Sequence, residues 1–202
     1  MKTSKKQRKE KSMRIVCVKG SPRLNGNSAT IADYFLKIAE RMGGKIRTFA
    51  LNRLKYKGCQ ACMACKTKQD KCAMNDQLTE VLDAIRKADI LVLATPIYFS
   101  EVTGQVKTFI DRTFSYLVPD YMTNPKPSRL TPGKKLVFII TYENSDGKSY
   151  ADVFPRYELF FKFFGFSETH LIKANNVGAI GDIDSRDDIL KLAKETAEKV
   201  MK

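Results

Sequence analysis

Four of the five cysteines in this 202-residue chain fall in one short stretch, 58–76, with the sequence GCQACMACKTKQDKCAMND. They are Cys59, Cys62, Cys65 and Cys72, spaced C-x2-C-x2-C-x6-C. A free cysteine usually behaves as a small hydrophobe inside a strand or helix. These four sit among Gly, Gln, Lys, Asp and Asn, in a segment without regular periodicity, and such segments inside a compact domain are usually functional. The spacing suits a metal centre. Three thiolates at steps of three can be turned toward one point, and a fourth a few residues on closes the site. Zinc sites more often join two separated C-x2-C pairs. A compact run of three with a trailing fourth is closer to the ligation of a [4Fe–4S] cluster, although the gap of six and the following Ala73 depart from the bacterial ferredoxin run. Zinc, redox-active thiols and no chemical role are the alternatives. Lys55, Lys57, Lys66, Lys68 and Lys71 flank the run and would offset the charge of thiolates and cluster.

Two further stretches carry ligand-type chemistry. The first is 20–28, GSPRLNGNS. It follows an apolar strand and opens a helix, where exposed N–H groups and the helix dipole favour an anion. Ser21, Asn25, Asn27 and Ser28 add donors, and Arg23 adds charge. The stretch is neither a Walker loop nor G-x-G-x-x-G. A plain βα turn with N-cap residues is the competing reading. The second is 95–103, TPIYFSEVT. It reads as a mobile loop holding Pro96, Ile97, Tyr98 and Phe99 beyond a strand's carboxyl end, where open α/β sheets bind ligands. Aromatic residues there suit a flat ligand; alternatively, Tyr98 and Phe99 tuck under the next helix. Tyr142, Asn144 and Gly147, in the polar loop after a later strand, either reach a ligand at the same edge or form an ordinary loop.

The elements that must position these residues alternate. Strands are expected at 13–19, 45–51, 90–94, 135–142 and 168–174. Helices are expected at about 27–42, from 76 onward, at 104–117 and 152–164, and at the C-terminus. Ser185-x-x-Asp188 resembles a capping box opening the last helix. In the aromatic helix, Tyr157, Phe160, Phe161 and Phe164 form a core face, and Phe163 lies off it, which points either to a subunit interface or to a wide core stripe. Cys17 reads as a core thiol. His170, the only histidine, has no nucleophile placed beside it and reads as structural. The alternation implies an α/β fold: a flavodoxin-like doubly wound, five-stranded parallel sheet, order 2-1-3-4-5, with helices on both faces.

The net charge is +14. Residues 1–14 carry seven Lys/Arg against Glu10, so +6 of it lies at the N-terminus. Residues 1–12 are expected as a disordered basic tail, and 13–202 as a single domain with the cysteine-rich loop at about 52–76. Like-charge blocks are usually solvated. Without a recognised binding motif, no nucleic-acid partner is expected, although a non-catalytic nucleic-acid binder is the rival from another class. No run approaches the length of a membrane span, and no hydrophobic segment follows the basic residues, so a cytoplasmic protein without membrane association is expected. Free thiols and clusters suit that reducing compartment.

Taken together, GSPRLNGNSATI, the four-cysteine run and TPIYFSEVTGQVKTFIDR resemble the flavodoxin-like NADPH-dependent FMN reductase superfamily, and more narrowly its iron–sulfur flavoproteins, over about residues 13–200. The resemblance implies FMN and a [4Fe–4S] cluster as cofactors. Ser21, Arg23, Asn25, Asn27 and Ser28 would surround the FMN phosphate. Pro96, Ile97, Tyr98 and Phe99 would line the isoalloxazine, and Tyr142, Asn144 and Gly147 would contact the flavin or its ribityl chain. Cys59, Cys62, Cys65 and Cys72 would hold the cluster. It further implies a homodimer or homotetramer that transfers electrons from a reduced, ferredoxin-like carrier to a small-molecule or protein acceptor, with no catalytic acid or base. An NAD(P)H-dependent FMN or quinone reductase without a cluster is the alternative.

Overall fold

A computed structural model describes residues 12–202; the basic tail expected at 1–12 lies outside them except for Ser12. Strands β1 (Arg14–Lys19), β2 (Lys45–Ala50), β3 (Ile90–Tyr98), β5 (Lys134–Thr141) and β6 (Phe166–Ala174) form a parallel sheet in the order β2-β1-β3-β5-β6. Two-residue β4 (Glu101–Val102) pairs antiparallel with the end of β3 and lies off this path. The parallel strands alone therefore follow the expected 2-1-3-4-5 order; the additional β4 is a correction. Among the described residues, six α-helices accompany them: α1 (Asn27–Arg41), α2 (Ala64–Thr67), α3 (Leu78–Lys87), α4 (Gly104–Arg112), α5 (Val153–Phe163) and α6 (Asp187–Val200).

The strand sequences explain the layering. Successive side chains point to opposite faces. Ile15 and Cys17 join Ile31, Phe35 and Ala39 of α1 and Ile189, Ala193 and Val200 of α6 in one core. Val16 and Val18 join Leu78, Val81, Leu82 and Ile85 of α3, Val106 and Phe109 of α4, and Phe161 of α5 in the other. Every central strand is apolar on both faces because both are covered. Cys17 is fully buried, and burial pushes its thiol up to about 12. Among the described residues, no helix is long and apolar enough to cross a membrane.

Three local expectations are corrected. The stretch 95–103 is a tight hairpin: β3 runs on to Tyr98, and Phe99 and Ser100 turn at φ 51° and 65° into β4. Two-residue hairpins with both central residues at positive φ usually carry Asn-Gly, so Phe-Ser gave no turn signal. In α5 and at its C-cap, Tyr157, Phe161 and Phe164 are buried, but Phe160 is 52% exposed. The buried stripe follows i, i+4, i+7, and Phe160 falls at its edge. Ser185 and Asp188 form no capping box: Ser185 Oγ donates to the Asp182 carbonyl, and Asp188 is taken by the Arg186 guanidinium.

Lys134, at the start of β5, is buried, and its ammonium donates to the Arg86 and Ala88 carbonyls at the end of α3. Burial lowers its pKa from 10.5 to about 8, against a smaller opposing effect of Asp89. Between these values the unfolded chain holds the proton and the folded chain does not, so stability rises with pH across the window. At about 1.4 kcal/mol per unit the rise is about 3 kcal/mol. Denaturation midpoints measured from pH 7 to 10.5 should show this rise relative to Lys134→Met; parallel profiles would contradict it.

Candidate functional site

The carboxyl ends of β1, β3 and β5 meet where the strand order reverses, and a cavity of about 180 Å3 opens there. Ser21, Arg23, Gly26, Asn27 and Ser28 line it from the loop after β1. Pro96, Ile97 and Tyr98 line it from β3, and Thr141, Tyr142 and Glu143 from the end of β5. Eight of the twelve candidate flavin residues thus share one cavity. Asn25, Phe99, Asn144 and Gly147 lie outside its lining. Phe99 is fully exposed at the hairpin tip. Asn144 and Gly147 face solvent; the Gly147 carbonyl accepts from Lys173 and Tyr142.

The end of this cavity formed by the loop after β1 depends on backbone closeness. A Cβ on Gly20 would lie 2.0 Å from Val106 Cγ2, so only glycine lets the loop lean onto α4. Thr103 Oγ1 donates to the Gly20 carbonyl at 2.7 Å and fixes that approach. Helix α1 has no side-chain cap and no acidic residue in its first turn. Its dipole and free N–H groups are therefore available to an anion. Ser28 Oγ is buried without a hydrogen-bond partner. Buried hydroxyls are almost always paired, so this orphan fits a phosphate acceptor. Asn27 differs from expectation: its side chain donates to the Ala179 carbonyl and accepts from Ile183 N, tying α1 to the loop after β6. Arg23 is bound to the same loop, at the Gly178 carbonyl. That loop, through Val177 and Gly178, completes the cavity wall. A Cβ on Gly178 would meet Glu143 at 2.9 Å, a close approach that sequence reasoning missed.

The four candidate cysteines line one hollow, together with Arg112 and Phe114 and without any His, Asp or Glu. Cys59 and Cys62 are exposed, Cys65 is buried and Cys72 is intermediate. Ala61 and Met63, on either side of Cys62, have φ 51° and 57°. Left-handed L-residues are costly, and they recur in main-chain nests around anions, iron–sulfur clusters among them. Among the described residues, no group of three or more His, Cys, Asp or Glu is arranged to hold one metal ion. The donor set is all cysteine, which suits a thiolate-ligated zinc or iron–sulfur centre alike.

The loop is held from below by cations. The Lys66 ammonium is buried over the Phe114 ring and donates to the Phe114 and Leu117 carbonyls. Burial lowers its pKa, and the neighbouring Cys65 opposes this. Of the five lysines expected to balance the thiols, only Lys66 turns inward; Lys55, Lys57, Lys68 and Lys71 are exposed. Arg129 donates to the Cys65 carbonyl at 3.0 Å. Arg112, its side chain fully buried, donates to Cys72 Sγ at 3.0 Å and pairs with Asp76 at 2.8 Å. Burial raises the Asp76 pKa, but hydrogen bonds from Arg112 and Lys57 N prevail and hold the carboxyl below its usual range. Sequence reasoning missed Arg112 and Arg129.

Beside Cys59, a larger groove of about 760 Å3 runs along Phe114, Leu117, Tyr121, Phe160 and Phe163. The β3–β4 hairpin borders it through Glu101, which accepts from Tyr157 and pairs with Arg156.

Residues 13–151 match the family model described as NADPH-dependent FMN reductase. This chain belongs to that family. Among relatives, an iron–sulfur flavoprotein of Methanocaldococcus jannaschii is 34% identical over 117 residues, covering 58% of this chain and 57% of its own length. An iron–sulfur flavoprotein of Clostridioides difficile is 34% identical over 138 residues, covering 67% of this chain and 56% of its own. The chain thus spans little more than half the length of these relatives. Among solved structures, an FMN-dependent NADH-azoreductase from Bacillus anthracis in complex with FMN superposes with a TM-score of 0.72, 12% identity, and coverage of 94% of this chain and 100% of that one. At that identity the likeness concerns the fold.

Proposed function

We propose that this chain is a flavin-dependent oxidoreductase whose single domain, 13–202, holds FMN and a [4Fe–4S] cluster and passes electrons from a reduced, ferredoxin-like carrier to an acceptor in a reducing, cytoplasmic compartment. The observation that carries the reading is the four cysteines that line one hollow, backed by a buried guanidinium, in a chain whose first helix presents an orphaned hydroxyl at an uncapped N-terminus. A flavin exchanges one or two electrons and a cluster one at a time, so the pair can split electron pairs. Ser21, Ser28 and the α1 N-terminus would bind the FMN phosphate. Arg23 and Asn27 would act on it indirectly, by holding the 178–183 loop. Pro96, Ile97 and Tyr98 would flank the isoalloxazine, with Tyr142 at the opposite wall; Asn25, Phe99, Asn144 and Gly147 are reserved for contacts at its margin. Cys59, Cys62, Cys65 and Cys72 would hold the cluster. The names of the relatives support the cluster, and the family description supports the flavin.

Flavin, iron and acid-labile sulfide per chain, measured on protein purified without oxygen, test the reading. About one FMN with about four iron and four sulfide is expected. One FMN without iron, even after anaerobic reconstitution, would favour the second reading, an NAD(P)H-dependent FMN or quinone reductase, which the family description also supports.

A homo-oligomer completes the proposal. Phe160 and Phe163 are 52% and 40% exposed along the apolar groove. Aromatic residues in such positions dominate interfaces. Phe160→Glu is expected to raise the self-dissociation constant about tenfold or more, as measured by sedimentation. An unchanged constant would remove this face from consideration.

A further inference from the structure

The geometry points to Arg112 as the residue that sets the reduction potential of the centre held by the cysteine loop, acting through Cys72. The inference rests on the cluster reading above and goes beyond it, because it concerns a residue that contributes no ligand. Arg112 is the last residue of α4, and its side chain is fully buried. A guanidinium carries five N–H donors, and all five are matched here. Nη1 donates to Asp76 Oδ2 and to the Lys57 carbonyl, both at 2.8 Å. Nη2 donates to Asp76 Oδ1 and to the Met74 carbonyl, both at 3.3 Å. The remaining donor, Nε–H, goes to Cys72 Sγ at 3.0 Å.

Holding the loop would need only the first four contacts. They tie the segment before the cysteines, at Lys57, to the segment after them, at Met74 and Asp76. The fifth places a fixed cationic donor on a sulfur. One-electron reduction of a cluster adds negative charge, part of which resides on its thiolates. A donor locked by four other bonds cannot turn away between redox states. In a low-dielectric site it stabilises the more negative state more. Hydrogen bonds to the sulfurs are among the factors that set cluster potentials. Arg112 therefore raises the potential, making the centre a readier electron acceptor.

The test is an anaerobic potentiometric titration of the protein with both cofactors, alongside its iron and sulfide content. Arg112→Gln is expected to keep its iron while the reduced-to-oxidised ratio at a fixed potential falls about tenfold, which is 59 mV for one electron. Arg112→Lys, which keeps the charge but loses the fork, should recover part of that shift; a purely structural role would move neither midpoint. Because Arg112→Gln leaves Asp76 without its cation, it can fail to fold. The double variant Arg112→Gln/Asp76→Asn removes both charges and should shift the midpoint in the same direction by a smaller amount, because the lost carboxylate offsets part of the lost cation while the hydrogen bond to Cys72 is still gone. Full iron with a wild-type midpoint in the double variant would overturn the inference while leaving the cluster reading intact. Loss of iron from both Gln-bearing variants, with flavin retained, would overturn it too, making Arg112 a support of the loop. Wild-type protein without iron would sink the cluster reading itself.

Discussion

Cys62→Ala is expected to take iron and sulfide from about four each per chain to background while leaving the flavin in place. Cys59→Ala, Cys65→Ala and Cys72→Ala should do the same. The four sulfurs line one hollow without a fifth donor from His, Asp or Glu, so nothing can replace a missing thiolate. The cavity proposed for the flavin is built from the turn after β1, the end of β3 and the loops after β5 and β6, and none of its lining residues is a cysteine. The two losses should therefore separate. Cys62 is the cleanest position, because it is exposed. Cys17→Ala is the matched control. Its thiol is in the core between the sheet and α1, and it should keep full iron at a cost of about 1 kcal/mol in stability. Full iron in all four loop variants would end the cluster assignment.

The parts legible in the sequence are those whose signal is local. An apolar run followed by a polar glycine loop announces β1 and the turn into α1. The cysteine run announces its own hollow, because ligand-type residues at short spacing need no distant partner to be noticed. What stayed hidden depends on long-range closure. Arg112 stands at the end of an amphipathic helix, where a basic residue is ordinary. Its meaning appears only when α4 brings it against Lys57, Cys72, Met74 and Asp76, which lie 36 to 55 positions away in the chain. The wall formed by Val177 and Gly178 is hidden for the same reason: a glycine after the last strand says nothing until Glu143 is found against it. Phe99-Ser100 was illegible for a different reason. Its left-handed turn contradicts local preference, and tertiary context, with β4 joined to α5 through Glu101, holds it. Phe160 shows the limit of periodicity. A helical stripe marks the direction of the core but not its width.

Ser28→Ala should raise the dissociation constant for FMN about ten- to a hundredfold without lowering the stability of the flavin-free protein. The two halves of this expectation come from one observation: Ser28 Oγ is buried and has no partner within the chain. A hydrogen bond to a charged group is worth about 1.5–3 kcal/mol, and each 1.4 kcal/mol is tenfold in affinity. If the hydroxyl donates to the FMN phosphate, that amount is lost on truncation. In the flavin-free protein there is no bond to lose. Removing an unsatisfied buried hydroxyl relieves its desolvation, and alanine is the better helix former in the first turn of α1. The melting temperature of the flavin-free variant should therefore hold or rise. Asn27→Ala gives the opposite pattern. Its amide is already spent on Ala179 and Ile183, so its loss should loosen the loop after β6 and lower the melting temperature with or without flavin. Calorimetric titration of FMN into each variant, beside thermal melts of the flavin-free forms, separates a phosphate contact from a structural tie. An unchanged affinity in Ser28→Ala would move the phosphate away from α1 and require another account of the unpaired hydroxyl.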